Sequence, residues 1–319
     1  MQPSTADVLI IGSSLIQVPS VRCDDEMLLG KTRYDPEYYS YIFQYDKARY
    51  LQSLLREKLG AEITALNGAV AATTVADQFL LFKSFLDHGG STKLVMLCLS
   101  PRELHDNYHP VPEKSQVYQM IGNPFAAKAI KERGFESCLG MVWERLNPLF
   151  ADRLQLQRAA ANLEEQIVRG SMSQQSRPQF RKPANTLRDL EMWRNTYNPV
   201  HWDLYHSQIS YLERFLSLAK ERNIPLVIVD MPLPRENVAL IDDGLKRSIA
   251  ADLQSLSQQY HAELIHPGQE QPYYLSDFED GGHMVSSGGR KLFCRLSDFL
   301  SQTPSLRSQL IGATSRPNM

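Results

Sequence analysis

Two short stretches near opposite ends of the chain carry the residue types that acyl chemistry needs. Near the N-terminus, the apolar run Asp7–Ile11 leads straight into Gly12-Ser13-Ser14. A glycine lets the chain turn sharply, and a serine after it is held at the edge of the element that precedes it. Near the C-terminus, Asp280 stands three residues before His283 in the segment LSDFEDGGHMVSSGGRKLF. A serine hydroxyl is a poor nucleophile until a base takes its proton, and an imidazole that titrates near neutrality suits that task. A carboxylate beside it fixes the ring tautomer and stabilises the imidazolium. Asp-x-x-His delivers both groups from one loop, and Gly288 and Gly289 let the following helix pack closely. Taken singly, the serines read as a turn or a helix cap, and the Asp–His pair as part of a surface loop.

Two further turns follow apolar runs. Asn67-Gly68-Ala69 offers a glycine amide that could donate to an oxyanion, and Ser100-Pro101-Arg102-Glu103-Leu104-His105-Asp106-Asn107 offers several polar side chains. Donors set in advance where negative charge develops are often the largest catalytic contribution. Other chemistries find less support. Gly12 lacks the further glycines of a dinucleotide-binding turn, and no Gly-Lys-Ser/Thr phosphate loop is present. His105 and His109 have helical metal-ligand spacing, but Pro110 follows at once and no third ligand is visible. The four cysteines form no CxxC pair, so zinc and redox motifs are unsupported. No cofactor is expected.

These residues must be positioned by a fold, and the patterning names one. Apolar runs at Asp7–Ile11, Ala61–Leu66, Leu94–Leu99, Leu226–Val229 and Ala262–Ile265 suit strands covered on both faces. Between them lie helical spacings at Tyr50–Leu55, Val75–Leu86, Trp202–Lys220 and Ser286–Leu300. Alternation of this kind predicts an α/β fold, a three-layer flavodoxin-like domain with a mostly parallel five-stranded sheet and a helical insertion. Residues 1–110 and 200–300 supply the core. Residues 111–199 are the insertion, with one amphipathic helix around Leu156–Ile167 and a polar stretch at 171–186, and 301–319 reads as a flexible tail.

Composition limits the function classes. The 319 residues are 43% hydrophobic and 22% charged, which describes an ordinary soluble globular protein. With 34 Lys and Arg against 36 Asp and Glu, the net charge of −2 leaves no footprint for nucleic acid. No apolar run approaches the length of a membrane-spanning helix, and no signal peptide is visible. The chain as written reads as cytoplasmic; a removed N-terminal anchor would make it extracytoplasmic or membrane-associated. Oligomeric state is not legible.

In order, the four pieces resemble the SGNH (GDSL-like) hydrolase superfamily, and more closely its Gly-Ser-Ser branch of bacterial, often cyanobacterial, members. The resemblance covers most of residues 7–110 and 224–300. It implies Ser14 as nucleophile, His283 as general base and acid, and Asp280 as the group orienting His283. It also implies an oxyanion hole lined by the Ser14 amide and Gly68, with a third donor from the block after strand three. There Arg102 stands where the family places asparagine, with Asn107 further on. Arg102 could serve as the donor, grip an anionic substrate group, or pair with Glu103 or Asp106. The implied activity is a serine-dependent acyl ester hydrolase or O-acyltransferase working on a small acyl ester or an acylated glycan. The alternative is a catalytically inactive SGNH-like protein that binds a glycan or an anion.

Overall fold

The computed structural model describes residues 5–32, 42, 45–108, 117 and 186–312. Five strands form one sheet: β1 (Thr5–Ile11), β2 (Ala65–Asn67), β3 (Ser91–Leu99), β4 (Leu226–Asp230) and β5 (Glu263–Ile265). Their order is β2-β1-β3-β4-β5, and every pairing is parallel. This is the flavodoxin-like order, and the sheet is wholly rather than mostly parallel. The near-continuous apolar character of β1, β3 and β4 follows from burial on both faces, with Leu94–Leu99 and Val227–Val229 sealed from solvent.

One helical layer contains α1 (Ser14–Leu29) and α2 (Arg49–Leu59), and the other contains α3 (Val75–Asp87). Further along the chain come α4 (Thr186–Tyr197), α5 (Trp202–Glu221), α6 (Asp243–Tyr260), α7 (Ser286–Gln302) and α8 (Pro304–Ile311). Helix α7 packs on α1 and α2, whereas α5 packs on α3 and α6, which completes the three layers. Phe82 of α3 and Phe215 of α5 stack at 4.6 Å between ring centroids in the second layer.

Three expectations change. Strand β2 begins at Ala65 rather than Ala61, because Asp7 and Thr64 meet through their side chains before the ladder starts. The Thr64 amide donates to Asp7 Oδ2 at 2.7 Å, and the Asp7 amide to Thr64 Oγ1 at 3.0 Å. The expected tail is helical through Ile311, since Leu306 and Leu310, four apart, are both buried against the core. Residue 186 opens α4, a helix whose Trp193 and Tyr197 are buried with the core side chains. The amphipathic segment around Leu156–Ile167, the stretch 171–185, His109 and Cys138 lie outside the described residues.

The strand order reverses between β1 and β3, so their carboxyl ends flank the crevice where open α/β sheets bind ligands. Gly12 is required there by contact distance. A Cβ on it would lie 2.7 Å from Ile16 Cγ2 and 3.0 Å from the Cys98 carbonyl oxygen on β3.

Candidate functional site

Helix α1 begins at the rim of this crevice. Ser13 is its N-cap, with extended backbone and a hydroxyl that accepts from the Leu15 amide at 3.3 Å. The same hydroxyl donates to Glu103 Oε1 across the gap to β3. Glu103 Oε2 takes the amide and the hydroxyl of Ser100, closing a capping box on the one-turn helix Pro101–Leu104. Glu103 is therefore a buried carboxylate with three donors, and it ties the end of β1 to the end of β3.

Ser14 follows as the first residue of α1 and is 9% exposed. Its hydroxyl lies 2.8 Å from His283 Nε2. On the far side of the ring, His283 Nδ1 lies 2.7 Å from Asp280 Oδ2. Asp280 Oδ1 accepts the amides of Gly282 and His283, each at 2.7 Å. The two residues thus share a turn that locks the carboxylate and the ring together. Burial pushes the Asp280 carboxyl up, but the His283 charge, the ring N–H and the two amides outweigh it and leave it below the usual carboxylate range. Burial disfavours the charged His283 ring, yet Asp280 and Glu279 prevail over that and over Arg22, and its pKa lies above the ordinary value. With Nδ1 hydrogen-bonded to a carboxylate, Nε2 of the neutral ring is an acceptor for the Ser14 proton.

The loop that carries Asp280 and His283 is closed at its base. Phe278 and Met284 form an antiparallel bridge, and the Glu279 amide donates to the His283 carbonyl at 2.9 Å. One face of the loop presses on α4. A Cβ on Gly281 would lie 2.5 Å from Trp193 Cδ1, and one on Gly282 would lie 2.4 Å from Trp193 Cζ2 and 3.2 Å from Leu15 Cδ2. Asn237 donates through Nδ2 to the Gly281 carbonyl on the same side. At the loop's exit, Gly289 brings α7 against α1, where a Cβ would meet Cys23 Sγ at 2.7 Å.

The residues expected around an oxyanion differ in their engagements. The Ser14 amide, at the positive end of α1, has no hydrogen-bond partner among the described residues. The Gly68 amide, by contrast, donates to the Ile10 carbonyl at 2.8 Å, because pairing with β1 continues one residue past β2. Asn107 donates to the carbonyls of Asn195 at 3.1 Å and Pro199 at 3.0 Å, which binds it to the end of α4. Arg102 pairs with buried Asp106 at 3.0 Å. Of the three readings open to Arg102, the structure contains this ion pair.

Sequence reasoning missed a turn on the same rim. The Val70 amide donates to the Gly12 carbonyl at 3.1 Å, and the Thr73 hydroxyl, 3.2 Å from that carbonyl, donates to the Val70 carbonyl at 2.7 Å. Within that turn Ala72 has φ 59°, a left-handed conformation that costs a non-glycine residue roughly 1–2 kcal/mol. Strain of this kind concentrates at functional sites. The amides of Ala71 and Ala72 have no partner among the described residues. No sequence signal marks Ala72, since an alanine in that conformation is uncommon.

Glu279, Asp280 and His283 have side-chain ligand atoms within 4.8 Å of one another, a possible geometry for a cation. Glu279 is nevertheless engaged by Arg22, and Asp280 by the ring and two amides. The donor set is that of a charge-matched hydrogen-bonded chain. His105 accepts the His201 amide at Nε2, 2.9 Å away, which occupies one of its two ring nitrogens. A second Asp–His pair, His266 Nδ1 to Asp230 Oδ2 at 2.8 Å, sits at the ends of β4 and β5. No helix of the described residues is long and apolar enough to cross a membrane.

No curated protein matches the chain. A family model does match, over residues 55–289, a span that includes Arg102, Trp193, Asp280 and His283 and begins after Ser14. The chain belongs to the family described as protein of unknown function (DUF1574).

Proposed function

We propose that the protein is a serine-dependent acyl ester hydrolase or O-acyltransferase of SGNH type. The observation that carries this reading is the unbroken chain from Ser14 Oγ through His283 to Asp280, at 2.8 and 2.7 Å. In the first half-reaction Ser14 Oγ attacks the acyl carbonyl and its proton passes to His283 Nε2. The tetrahedral oxyanion then collapses, the bond to the leaving alkoxy oxygen breaks, and His283 returns the proton to that oxygen. In the second half, water or a sugar hydroxyl attacks the acyl-enzyme and yields its proton to His283, and Ser14 Oγ leaves and is reprotonated. Asp280 stays ionised and holds the ring for both transfers.

The oxyanion would be met by the Ser14 amide at the head of α1, with the uncommitted amides of Ala71 and Ala72 as further donors on this rim. Gly68 and Asn107, whose donors are already spent, have no part in this arrangement. The commitment of those two donors favours a second reading, a protein that binds a glycan or an anion without turnover.

Intact-mass analysis after treatment with a serine-reactive phosphonate separates the two. One adduct per chain, mapped to Ser14, is the expected result. A folded sample that gains no adduct, or gains it on Ser13, would sink the acyl-transfer reading in favour of the binding one.

A further inference from the structure

Arg22 is buried with 0% exposure, two helical turns beyond Ser14 on the same helix. Its guanidinium reaches both arms of the loop that carries Asp280 and His283. Nη2 pairs with the Glu279 carboxylate on the entering arm, and Nη1 donates to the Met284 carbonyl on the leaving arm at 2.9 Å. Those two residues flank the Asp280–His283 turn on either side. A planar fork is suited to this span, because it holds two acceptors at once in fixed geometry, which an ammonium cannot do. An arginine sealed from solvent is costly unless it is paired, and Glu279 and Met284 of this loop are among its partners.

We infer that Arg22 is a positioning residue, a brace through which the helix bearing Ser14 sets where His283 stands relative to the Ser14 hydroxyl. The inference rests on the acyl-transfer reading, since the distance matters only if a proton crosses it. A rigid helix with the nucleophile at its head and the brace eight residues on turns two distant segments into one unit. Trp193 presses the same loop from α4, so the loop is held from two sides, by charge and by shape. Among the described residues, the charged groups that act most on His283 are Asp280 and Glu279 of its own loop and Arg22 of α1. Glu279 and Arg22 act on the ring in opposite directions.

The test compares the full chain with Arg22→Lys, Arg22→Met and the pair Arg22→Met/Glu279→Gln, with kcat, KM and the pH profile of kcat/KM read on a neutral aryl ester. The parent protein must first take up the phosphonate on Ser14. Failure at that stage overturns the acyl-transfer reading, and the brace with it, before any Arg22 variant is read. If the parent labels, Arg22→Met is expected to lose about a hundredfold in kcat with KM within about twofold of the parent, the scale of a misplaced reacting group. Its acid limb moves to higher pH, because Glu279 is left uncompensated beside His283. In the double variant the limb returns towards the parent position while kcat stays low, which separates the brace from the charge. Arg22→Lys keeps the charge and one bond, and recovers about tenfold of the loss. Should Arg22→Met fail to fold, Arg22→Lys and Glu279→Gln decide. Parental kcat in those two, or in folded Arg22→Met, overturns the brace whether or not the acid limb moves.

Discussion

Ser13 donates its hydroxyl to Glu103 across the crevice between β1 and β3, although the two residues are 90 positions apart. The bond fixes the backbone of the residue before Ser14 from the neighbouring strand. It also divides the two adjacent serines: Ser13 holds the turn, and the Ser14 hydroxyl is left to His283. Glu103→Gln keeps the shape but offers a single accepting oxygen to three donors. The expected cost is about 1–3 kcal/mol in urea unfolding, the range for orphaned buried polar groups. Unchanged stability would mean that the carboxylate is not what joins the strands.

Ser14→Ala removes the oxygen proposed to attack and leaves the His283–Asp280 pair in place. Turnover of an activated ester is expected to fall about 10⁴-fold or more, with unfolding stability near that of the parent. The kinetic comparison at saturating ester checks it, and a fall of less than tenfold would assign the activity elsewhere.

The pH profile follows from His283. The ring must be neutral to take a proton, and Asp280 and Glu279 hold its pKa above the ordinary value of 6.5. The quantity kcat/KM is therefore expected to climb with pH through a midpoint above that value. The same interaction stabilises the fold when the ring is charged. That contribution is fully present below the unfolded pKa and is lost as pH rises through the folded one. Asp280 acts in the opposite sense: its contribution is present above its unfolded value of 3.8 and lost as pH falls through its lowered one. A plateau of kcat/KM that extends unchanged below pH 6 would contradict this assignment.

Arg102→Met distinguishes an ion pair from a substrate contact. The partner, Asp106, is 1% exposed, so removing the guanidinium takes the matching charge at 3.0 Å from a buried carboxylate that keeps the Tyr108 amide at 2.8 Å. The expected loss is about 3 kcal/mol of stability, with kcat and KM on a neutral ester within about twofold of the parent. A large kcat loss in a protein of parental stability would restore the oxyanion role.

Gly282→Ala places a methyl group where Trp193 and Leu15 already stand. Overpacking of this kind costs about 1–3 kcal/mol. Pairing it with Trp193→Leu makes room, so the double variant is expected to be more stable than the two single costs would add up to, as measured in a double-mutant cycle. Strict additivity would separate the indole from the loop.

The sheet was legible in the sequence where strands are buried on both faces. Leu94–Leu99 and Leu226–Val229 read as unbroken apolar runs because no residue in them meets water. Helix α1 was opaque for the same reason. Ser14–Asp25 are buried on every side, so no polar face gives the helical period its contrast. Helix α6 carried a readable signal, since Leu245, Ile249 and Leu253 stand four apart and Leu256 three further on, all buried. The Ser14, Asp280 and His283 positions were legible because local turns advertise them. The competition for donors was not. Whether the Gly68 amide faces a substrate or the Ile10 carbonyl depends on how far a strand pairing extends, and Arg22 meets Glu279 only because two helices pack side by side.

The Ser14 hydroxyl and its base are 269 residues apart in sequence. Synthesis runs from N- to C-terminus, so Ser14 is made long before His283. Strand β1 must also wait for β3, 85 residues or more downstream, since Thr5 pairs with Ser91 and Ile11 with Leu97. Non-local parallel pairings of this kind form slowly. On the acyl-transfer reading, a chain that lacks the Asp280–His283 loop carries an unactivated serine, and tertiary packing of that loop beside α1 is what supplies its base.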